Sequence, residues 1–331
     1  MQLRRSLVIL VAVTAIGATA LMLSRKKETS PVASAPASPG GVLGSFEIPP
    51  PPKLTDPLIR PELKEALGTV APLSYRTDII RALPVRSLRP VEIDAMLAAM
   101  VQLPTKEQTL LHSAFMHQIA CVLHLYPDIR ERFARALAAL ARDTQRDGNT
   151  RDYAIQHLRT IWADAARDST LRASIVATFH EFAESNSMIA PSGLLSLHIL
   201  RITPQSAPNS PAKGAAKAAS PLYIAPVYQI PDSYFLPILE RTFAEKTSTS
   251  NLPTKMTALR IVNERGLKAF RQPLLTAMQD PGEHSMVRMA AAAALGKITD
   301  PADMPALAAM TPNDMRVAAA LRTAVNSRSP R

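Results

Sequence analysis

Three side chains that bind metal ions lie close together near the middle of the chain. His117, Cys121 and His124 are spaced at i, i+4 and i+7, so a helix would place them on one face. Imidazole and thiolate are ligands that zinc prefers. No further ligand cluster is apparent, and the apolar neighbours in 115–123 suit an ordinary buried helix with satisfied packing residues. We therefore predict no metal site and no cofactor.

The chain shows no motif for acid–base or nucleophilic catalysis. His180 and Glu184 are four residues apart, which is the spacing of a contact on a helix surface. The spacing of the remaining polar residues indicates no Ser/His/Asp set, no glycine-rich phosphate loop and no paired carboxylates. We predict that the protein has no catalytic residues and is not an enzyme.

A basic segment, residues 255–271, is the second candidate site. It contains one acid, Glu264, and five cations: Lys255, Arg260, Arg265, Lys268 and Arg271. One interpretation is a ridge that faces phosphate groups of nucleic acid or lipid, and the other is the solvated edge of a helical domain. The chain has a net charge of +11, but this charge is spread along the sequence and only 5% of residues are aromatic. Nucleic acid is therefore not expected as a partner.

The elements that carry these residues are predicted to be helices. Hydrophobic residues make up 47% of the chain, and their period is helical through residues 58–202 and 233–326. We find no alternating strand pattern, so the sequence predicts an all-α fold. Thr105 with Gln108 has the spacing of a capping box that opens one of these helices.

Two segments with prolines predict helix starts near the C-terminus. In both 300–303 and 311–314, a capping side chain is followed by proline at the first helical position and an acid at the third. Between residues 286 and 298 the apolar residues on one predicted face are Val287, Ala291, Ala294, Leu295 and Ile298. The small alanines predict a thin helix whose neighbours approach closely, and Gly296 is expected to help end it.

The helical unit recurs along the chain. Leu259 aligns with Leu295, 36 residues later, and Leu158 aligns with Leu197, 39 residues later. A repeat of this length with two helices indicates an α-solenoid of antiparallel helix pairs.

The stretch "DPGEHSMVRMAAAAALGKITDP" at 280–301 resembles the HEAT-repeat class, including short bacterial HEAT-like units related to those of phycobilisome lyases. "TRDYAIQHL" at 150–158 is a weaker match. The resemblance covers 105–202 and 250–325 loosely, and it implies a fold rather than a function. It also implies that Arg288 pairs with an aspartate between repeats, Asp280 or Asp300.

The N-terminus predicts a membrane segment. Residues 6–24 contain no charge, and as a helix they would rise about 28 Å, close to the hydrocarbon thickness of a bilayer. Basic residues flank both sides. The interpretation that we favour is an uncleaved single-pass anchor with the helical domain outside the cytoplasm, in the periplasm. The alternative is a signal peptide cleaved after Ala18-Thr19-Ala20, which would leave a secreted form.

These observations divide the chain into six predicted regions. They are an anchor or signal sequence (1–27), a Pro/Ser/Ala-rich tether (28–57), an N-terminal helical lobe (58–202), a low-complexity flexible insert (203–232), a C-terminal helical lobe (233–326) and a disordered tail (327–331).

The most consistent function is a membrane-tethered, non-catalytic scaffold for protein partners, because stacked helix pairs expose long surfaces that bind extended or helical segments. Two alternatives remain. One is a lyase-type HEAT-like enzyme or accessory factor, and the other is a phosphate-backbone binder that uses residues 255–271.

Overall fold

The computed structural model describes the greater part of the helical region. The described residues are 41–47, 50, 53–103, 109–165, 168–185, 187–202, 227–228 and 230–327. All of them lie in the unit formed by residues 39–331. The predicted membrane segment (6–24) and the predicted capping box at Thr105 and Gln108 lie outside the described residues.

In the described part of the chain, eight α-helices precede the predicted insert. They are α1 (Pro61–Leu67), α2 (Leu73–Ala82), α3 (Pro90–Gln102), α4 (Thr109–Val122), α5 (Ile129–Arg142), α6 (Gly148–Asp164), α7 (Ser169–Glu184) and α8 (Ala190–Ile199).

Six α-helices follow the insert among residues 230–327. They are α9 (Leu236–Ala244), α10 (Leu252–Arg265), α11 (Arg271–Gln279), α12 (Ser285–Ile298), α13 (Met304–Ala308) and α14 (Met315–Asn326). Short 3-10 turns precede α9, α11 and α13. The predicted all-helical architecture is thus confirmed for the described residues, apart from one small strand pair.

The helices form seven consecutive pairs, from α1–α2 to α13–α14, and the two members of each pair pack on each other. The second helices of the pairs also pack on one another in an unbroken row from α2 to α14. The first helices approach one another less closely. This arrangement leaves grooves between successive first helices.

A buried cation closes four of the seven pairs. It is always the fourth residue of the second helix, and it donates to a carbonyl ten residues earlier, at the end of the first helix. The bonds are Arg76 Nε to Ala66 O (2.8 Å), Arg151 Nε to Ala141 O (2.8 Å), Lys255 Nζ to Glu245 O (2.6 Å) and Arg288 Nε to Met278 O (3.1 Å). We call this position the closing residue. Each cation satisfies a carbonyl that the end of a helix leaves without a partner.

The closing residue of α8 is a glycine, Gly193. A Cβ at this position would lie 2.7 Å from the backbone nitrogen of Ala183, which is again ten residues earlier. The backbone of α7 therefore occupies the space that the cation's side chain takes in the four pairs described above.

The closing residues correct the register of the predicted repeat. When the closing residues are aligned, Lys255 corresponds to Arg288, so Leu259 corresponds to Ala292 and not to Leu295. The sequence alignment identified the right helices but was wrong by about one helical turn. Leucines three or four residues apart share a face of a helix, so an apolar pattern fits either register.

The alanine-rich helix α12 is buried as predicted. Val287, Ala291 and Leu295 are fully buried, and α12 packs on α10, α11 and α14. Gly296 has a different role from the predicted one, because the helix continues to Ile298. A Cβ on Gly296 would lie 2.5 Å from the Cβ of Ala324, so this glycine lets α14 cross closely.

Both predicted proline-containing helix starts were placed too early. The helix α14 begins after Asp314, whose side chain caps it by accepting from Arg316 N at 2.8 Å and Val317 N at 3.3 Å. In the other segment, residues 301–303 form a 3-10 turn and α13 begins at Met304. Asp300 makes no capping bond to that turn and instead accepts a hydrogen bond from Lys268.

A short antiparallel strand pair joins the ends of the predicted insert. Strand β1 (Arg201–Ile202) pairs with β2 (Val227–Tyr228), although the sequence predicted no strand. The predicted insert and lobe boundaries remain predictions, since residues 203–226 lie outside the described part. The helices on either side meet directly, because α8 packs on α10.

None of the helices among the described residues has the length and the apolar character needed to cross a membrane.

Candidate functional site

The groove between the first helices α5 and α7 holds an extended segment of the chain itself, residues 41–47. Leu43 is 5% exposed, and its backbone N–H donates to Thr178 Oγ1 at 3.0 Å. Its carbonyl accepts from Arg142 Nη1, also at 3.0 Å. Side chains of two different helices therefore bind both backbone polar groups of this leucine.

The two side chains that hold Leu43 are themselves fixed in position. Arg142 donates from Nε to Glu181 Oε1 at 2.8 Å and from Nη2 to Glu181 Oε2 at 2.6 Å. This paired arrangement is geometrically specific and leaves Nη1 free to face the carbonyl of Leu43. The hydroxyl of Thr178 donates to Ser174 O at 2.8 Å, so its oxygen lone pairs face the N–H of Leu43. The groove is thus organised to bind an extended backbone.

Residues 41–47 lie within the predicted tether (28–57), but they contribute to the core of the helical region. Leu43 is part of the buried core and Phe46 packs against it. The signal that sequence reasoning missed is the short apolar run of Val42, Leu43 and Phe46 within a segment otherwise rich in Pro, Ser and Ala.

The predicted histidine and cysteine cluster is only partly assembled. His117 Nε2 lies 3.6 Å from Cys121 Sγ, and burial raises the pKa of that thiol. His117 and His124 are exposed, so they are not the buried packing residues that the sequence favoured. Within the described part of the chain, no group of three His, Cys, Asp or Glu side chains could hold a metal ion.

A histidine that the sequence did not single out lies near this cluster. Burial lowers the pKa of His157 to about 4, and the positive charges of His117 and Arg159 add to the effect. His157 is therefore neutral in the folded protein at neutral pH.

His180 and Glu184 form the predicted contact on the helix surface. His180 Nδ1 lies 3.4 Å from Glu184 Oε2, and both side chains are partly exposed. The imidazole also packs edge-on against Tyr234, with 4.6 Å between the ring centroids.

The five cations of the basic segment (255–271) all have carboxylate partners. The partners of Lys255 and Arg265 are Glu283 and Asp232, both at 2.8 Å. Outside the buried part of the segment, the pairs are Arg260 with Glu264 (2.6 Å), Lys268 with Asp300, and Arg271 with Asp303 (3.4 Å). Four of these five partners lie outside the segment, which is why the sequence appeared to contain one acid alone. The arrangement is that of neutralised pairs and not of a basic ridge that faces phosphates.

Arg265 belongs to a buried polar cluster between α8 and α10. Its Nε donates to His198 Nδ1 at 3.0 Å, and its guanidinium carbon lies 4.2 Å from the centroid of Phe235. The other ring nitrogen of His198 lies 2.7 Å from Glu264 Oε2. Burial lowers the pKa of His198, although Glu264 acts in the opposite direction. Because Nδ1 accepts from Arg265, Nε2 carries the proton and donates to Glu264.

Arg288 is structural, as the resemblance implied, but its acidic partner is a different one. Its Nη1 lies 3.7 Å from Asp314 Oδ2, in the next helix pair, rather than near Asp280 or Asp300. Asp280 instead accepts from the backbone N–H of Gly282 within its own loop, at 2.8 Å.

The comparisons with known proteins agree with this architecture. Residues 242–326, from α9 to α14, match a family model described as HEAT repeats. The predicted HEAT-repeat class is thereby confirmed for this region. Neither a curated protein nor a solved structure matches the chain.

Proposed function

We propose that the protein is a membrane-tethered HEAT-repeat scaffold that binds extended segments of protein partners and catalyses no reaction. The observation that supports this proposal is the α5/α7 groove, where Arg142 and Thr178 bind the backbone of an extended segment. Backbone recognition of this kind tolerates different side chains and is suited to linear segments. HEAT repeats commonly mediate protein interactions, which is consistent with this role.

The membrane part of the proposal rests on the sequence of residues 6–24. Because Leu43 is bound to α5 and α7, only residues 25–40 separate the predicted membrane segment (6–24) from the docked segment. Fully extended, these residues span at most about 55 Å. The scaffold would therefore act close to the membrane, on its extracytoplasmic side.

Chemical crosslinking in native membranes followed by affinity capture tests the scaffold function. We expect the full-length chain to retain a reproducible set of proteins. A chain that begins at residue 58 lacks the predicted membrane segment (6–24) and should retain fewer of them. If neither form retains proteins above an unrelated membrane-anchored control, the scaffold function is contradicted.

Carbonate extraction and reporter fusions after residue 60 test the membrane part separately. We expect the protein to stay in the membrane pellet and a reporter that is active only outside the cytoplasm to be functional. Release of a product shortened by about 20 residues would instead establish cleavage near Ala20.

A further inference from the structure

A second groove between first helices is open. It lies between α9 and α11, has a volume of about 360 Å³, and is lined by parts of both helices and of the loops that follow them. Its apolar surface comes from Phe243, Pro273 and Ala277, which are partly buried. Its exposed polar surface includes Lys246 and Thr276.

The closing residues show that this groove is equivalent to the occupied one. Arg142 directly follows Ala141, the carbonyl that Arg151 binds, and Lys246 directly follows Glu245, the carbonyl that Lys255 binds. Lys246 therefore has the same register position as Arg142, although Arg142 is the last residue of α5 and Lys246 lies in the loop just after α9.

The same comparison applies to the opposite wall. Glu181 lies two residues before Ala183, which packs on the closing residue Gly193, and Thr276 lies two residues before Met278, whose carbonyl Arg288 binds. Thr276 thus replaces Glu181, and Pro273 replaces Thr178. A hydroxyl is thus present about one helical turn further along α11 than Thr178 lies along α7, and both Thr276 and Lys246 line the groove.

The charges around the open groove indicate the type of segment that it would bind. Lys255 and Glu283 neutralise each other at 2.8 Å. Of the charged groups that remain, Glu245 and Asp280 are exposed carboxylates and Lys246 is a single exposed ammonium group. A segment that carries a basic residue would complement this excess of negative charge.

We propose that the α9/α11 groove binds an extended segment of a protein partner that carries one aliphatic side chain and a nearby basic residue. Lys246 donates to a backbone carbonyl of the segment, and Thr276 accepts from a backbone N–H. The aliphatic side chain packs on Phe243 and Ala277, and the basic residue faces Asp280 and Glu245.

This inference rests on the proposed scaffold function and names its binding site. The two can fail separately. If crosslinking captures partners and a blocked α9/α11 groove still retains all of them, the scaffold function stands and the groove assignment is wrong.

A photoreactive peptide tests the groove directly. The probe has the sequence of residues 41–47 with photo-leucine in place of Leu43 and lysine in place of Glu47. After irradiation with the full-length protein in detergent, we expect mass spectrometry to find labels on residues 243–246 and 272–280. The matching peptide that retains glutamate should label these residues at least about fivefold less.

Two variants on α11 provide the matched comparison. Thr276→Trp fills the groove from an exposed position and should reduce labelling about fivefold or more. Gln279→Trp makes the same substitution at an exposed position outside the groove lining and should leave labelling unchanged.

Lys246→Ala, a truncation of an exposed side chain, should reduce labelling about threefold and gives a second readout if Thr276→Trp fails to fold. Labels confined to α5 and α7, or labelling that neither Thr276→Trp nor Lys246→Ala reduces, would overturn the proposal.

Discussion

The neighbouring pairs α5–α6 and α7–α8 close in two different ways. In α5–α6 the closing residue Arg151 is 5% exposed and its Nε binds Ala141 O at 2.8 Å. In α7–α8 the closing residue is Gly193, and the backbone of α7 lies where the arginine side chain would be. One pair is joined by a hydrogen bond from a long cation, and the other by direct contact between helix backbones.

The difference shows that the repeat preserves a position and not a residue type. A cation satisfies a helix-end carbonyl and fills the space between two helices. Glycine removes the side chain and lets the helices approach instead. The two solutions should respond differently to substitution, because one can lose a bond and the other can only gain a clash.

Substitution of a closing residue should reduce the free energy of unfolding most where the closing cation also neutralises a buried acid. The Nζ of Lys255 donates to Glu245 O at 2.6 Å and lies 2.8 Å from the carboxylate of Glu283. The side chains of Lys255 and Glu283 are both less than a tenth exposed. Lys255→Met should lower the free energy of unfolding by about 3–5 kcal/mol, because Glu283 would keep an unpaired charge. Urea denaturation measures this loss.

The double variant Lys255→Met with Glu283→Gln is the control for Lys255→Met. It should recover part of the stability, since it removes the charge that was left alone. A double variant that is as unstable as the single one would show that the loss comes from packing and not from charge.

Gly193→Ala should lower the free energy of unfolding by about 1–3 kcal/mol. The new methyl group would lie 2.7 Å from both the backbone nitrogen of Ala183 and the Cβ of Phe182, so α7 would have to move. Gly44→Ala is the control, because a Cβ there meets no atom within 4 Å. Equal thermal stability of the two variants would contradict the close backbone approach in α7–α8.

Arg151→Met should cost about 1–2 kcal/mol, less than Lys255→Met, because the carbonyl of Ala141 loses its donor but no buried acid is left unpaired. Arg151→Lys should cost less than about 1 kcal/mol, since Lys255 performs the same role in α9–α10. Chemical denaturation of both variants checks this. If Arg151→Lys were as damaging as Arg151→Met, closure would depend on the guanidinium geometry.

Sequence patterns predicted the class of fold because helix pairs leave a strong apolar period. They identified the buried face of α12, for example, from Val287, Ala291, Ala294, Leu295 and Ile298, all of which are buried. They could not set the register of the repeat. The marker of register is a closing residue that varies from arginine to lysine to glycine, and only the contact ten residues earlier shows that these positions are equivalent.

The candidate site was less predictable than the fold, because its parts are distant in sequence. The bond between Leu43 and Thr178 joins residues 135 positions apart, and no local pattern reports such a contact. The same reason explains the basic segment. The partner of Lys268 is Asp300, 32 positions away, so a local count of charges suggested a basic ridge where the fold forms ion pairs.

The second helices of the two compared pairs also carry histidines in different surroundings. On α6, burial and the positive charges of His117 and Arg159 lower the pKa of His157 to about 4. On α8, Glu264 partly offsets the effect of burial on His198. Since the folded-state pKa of His157 lies below its unfolded value of about 6.5, its contribution to stability is present above that pH and is lost as pH falls towards 4.

The pH dependence can be measured by urea denaturation between pH 7 and pH 4.5. The native protein should lose at most about 1 kcal/mol per pH unit from His157 in this window, and His157→Gln should flatten the profile. His157→Gln with an unchanged slope would assign the pH dependence to another group, and His198→Gln would test the histidine on α8.

The smallest change in the free energy of unfolding is expected when an exposed ion pair is removed. These pairs connect α11 and its preceding turn to the segment before α13. Lys268 and Asp300 are both more than half exposed, in contrast to Lys255, which is almost fully buried. Lys268→Ala should therefore change the free energy of unfolding by less than about 1 kcal/mol, because water and salt screen an exposed pair. A double-mutant cycle with Asp300→Ala measures the coupling, which should shrink further when salt is raised to about 0.5 M. A coupling above about 2 kcal/mol would mean that the surface pairs, and not the closing residues, hold the C-terminal helix pairs together.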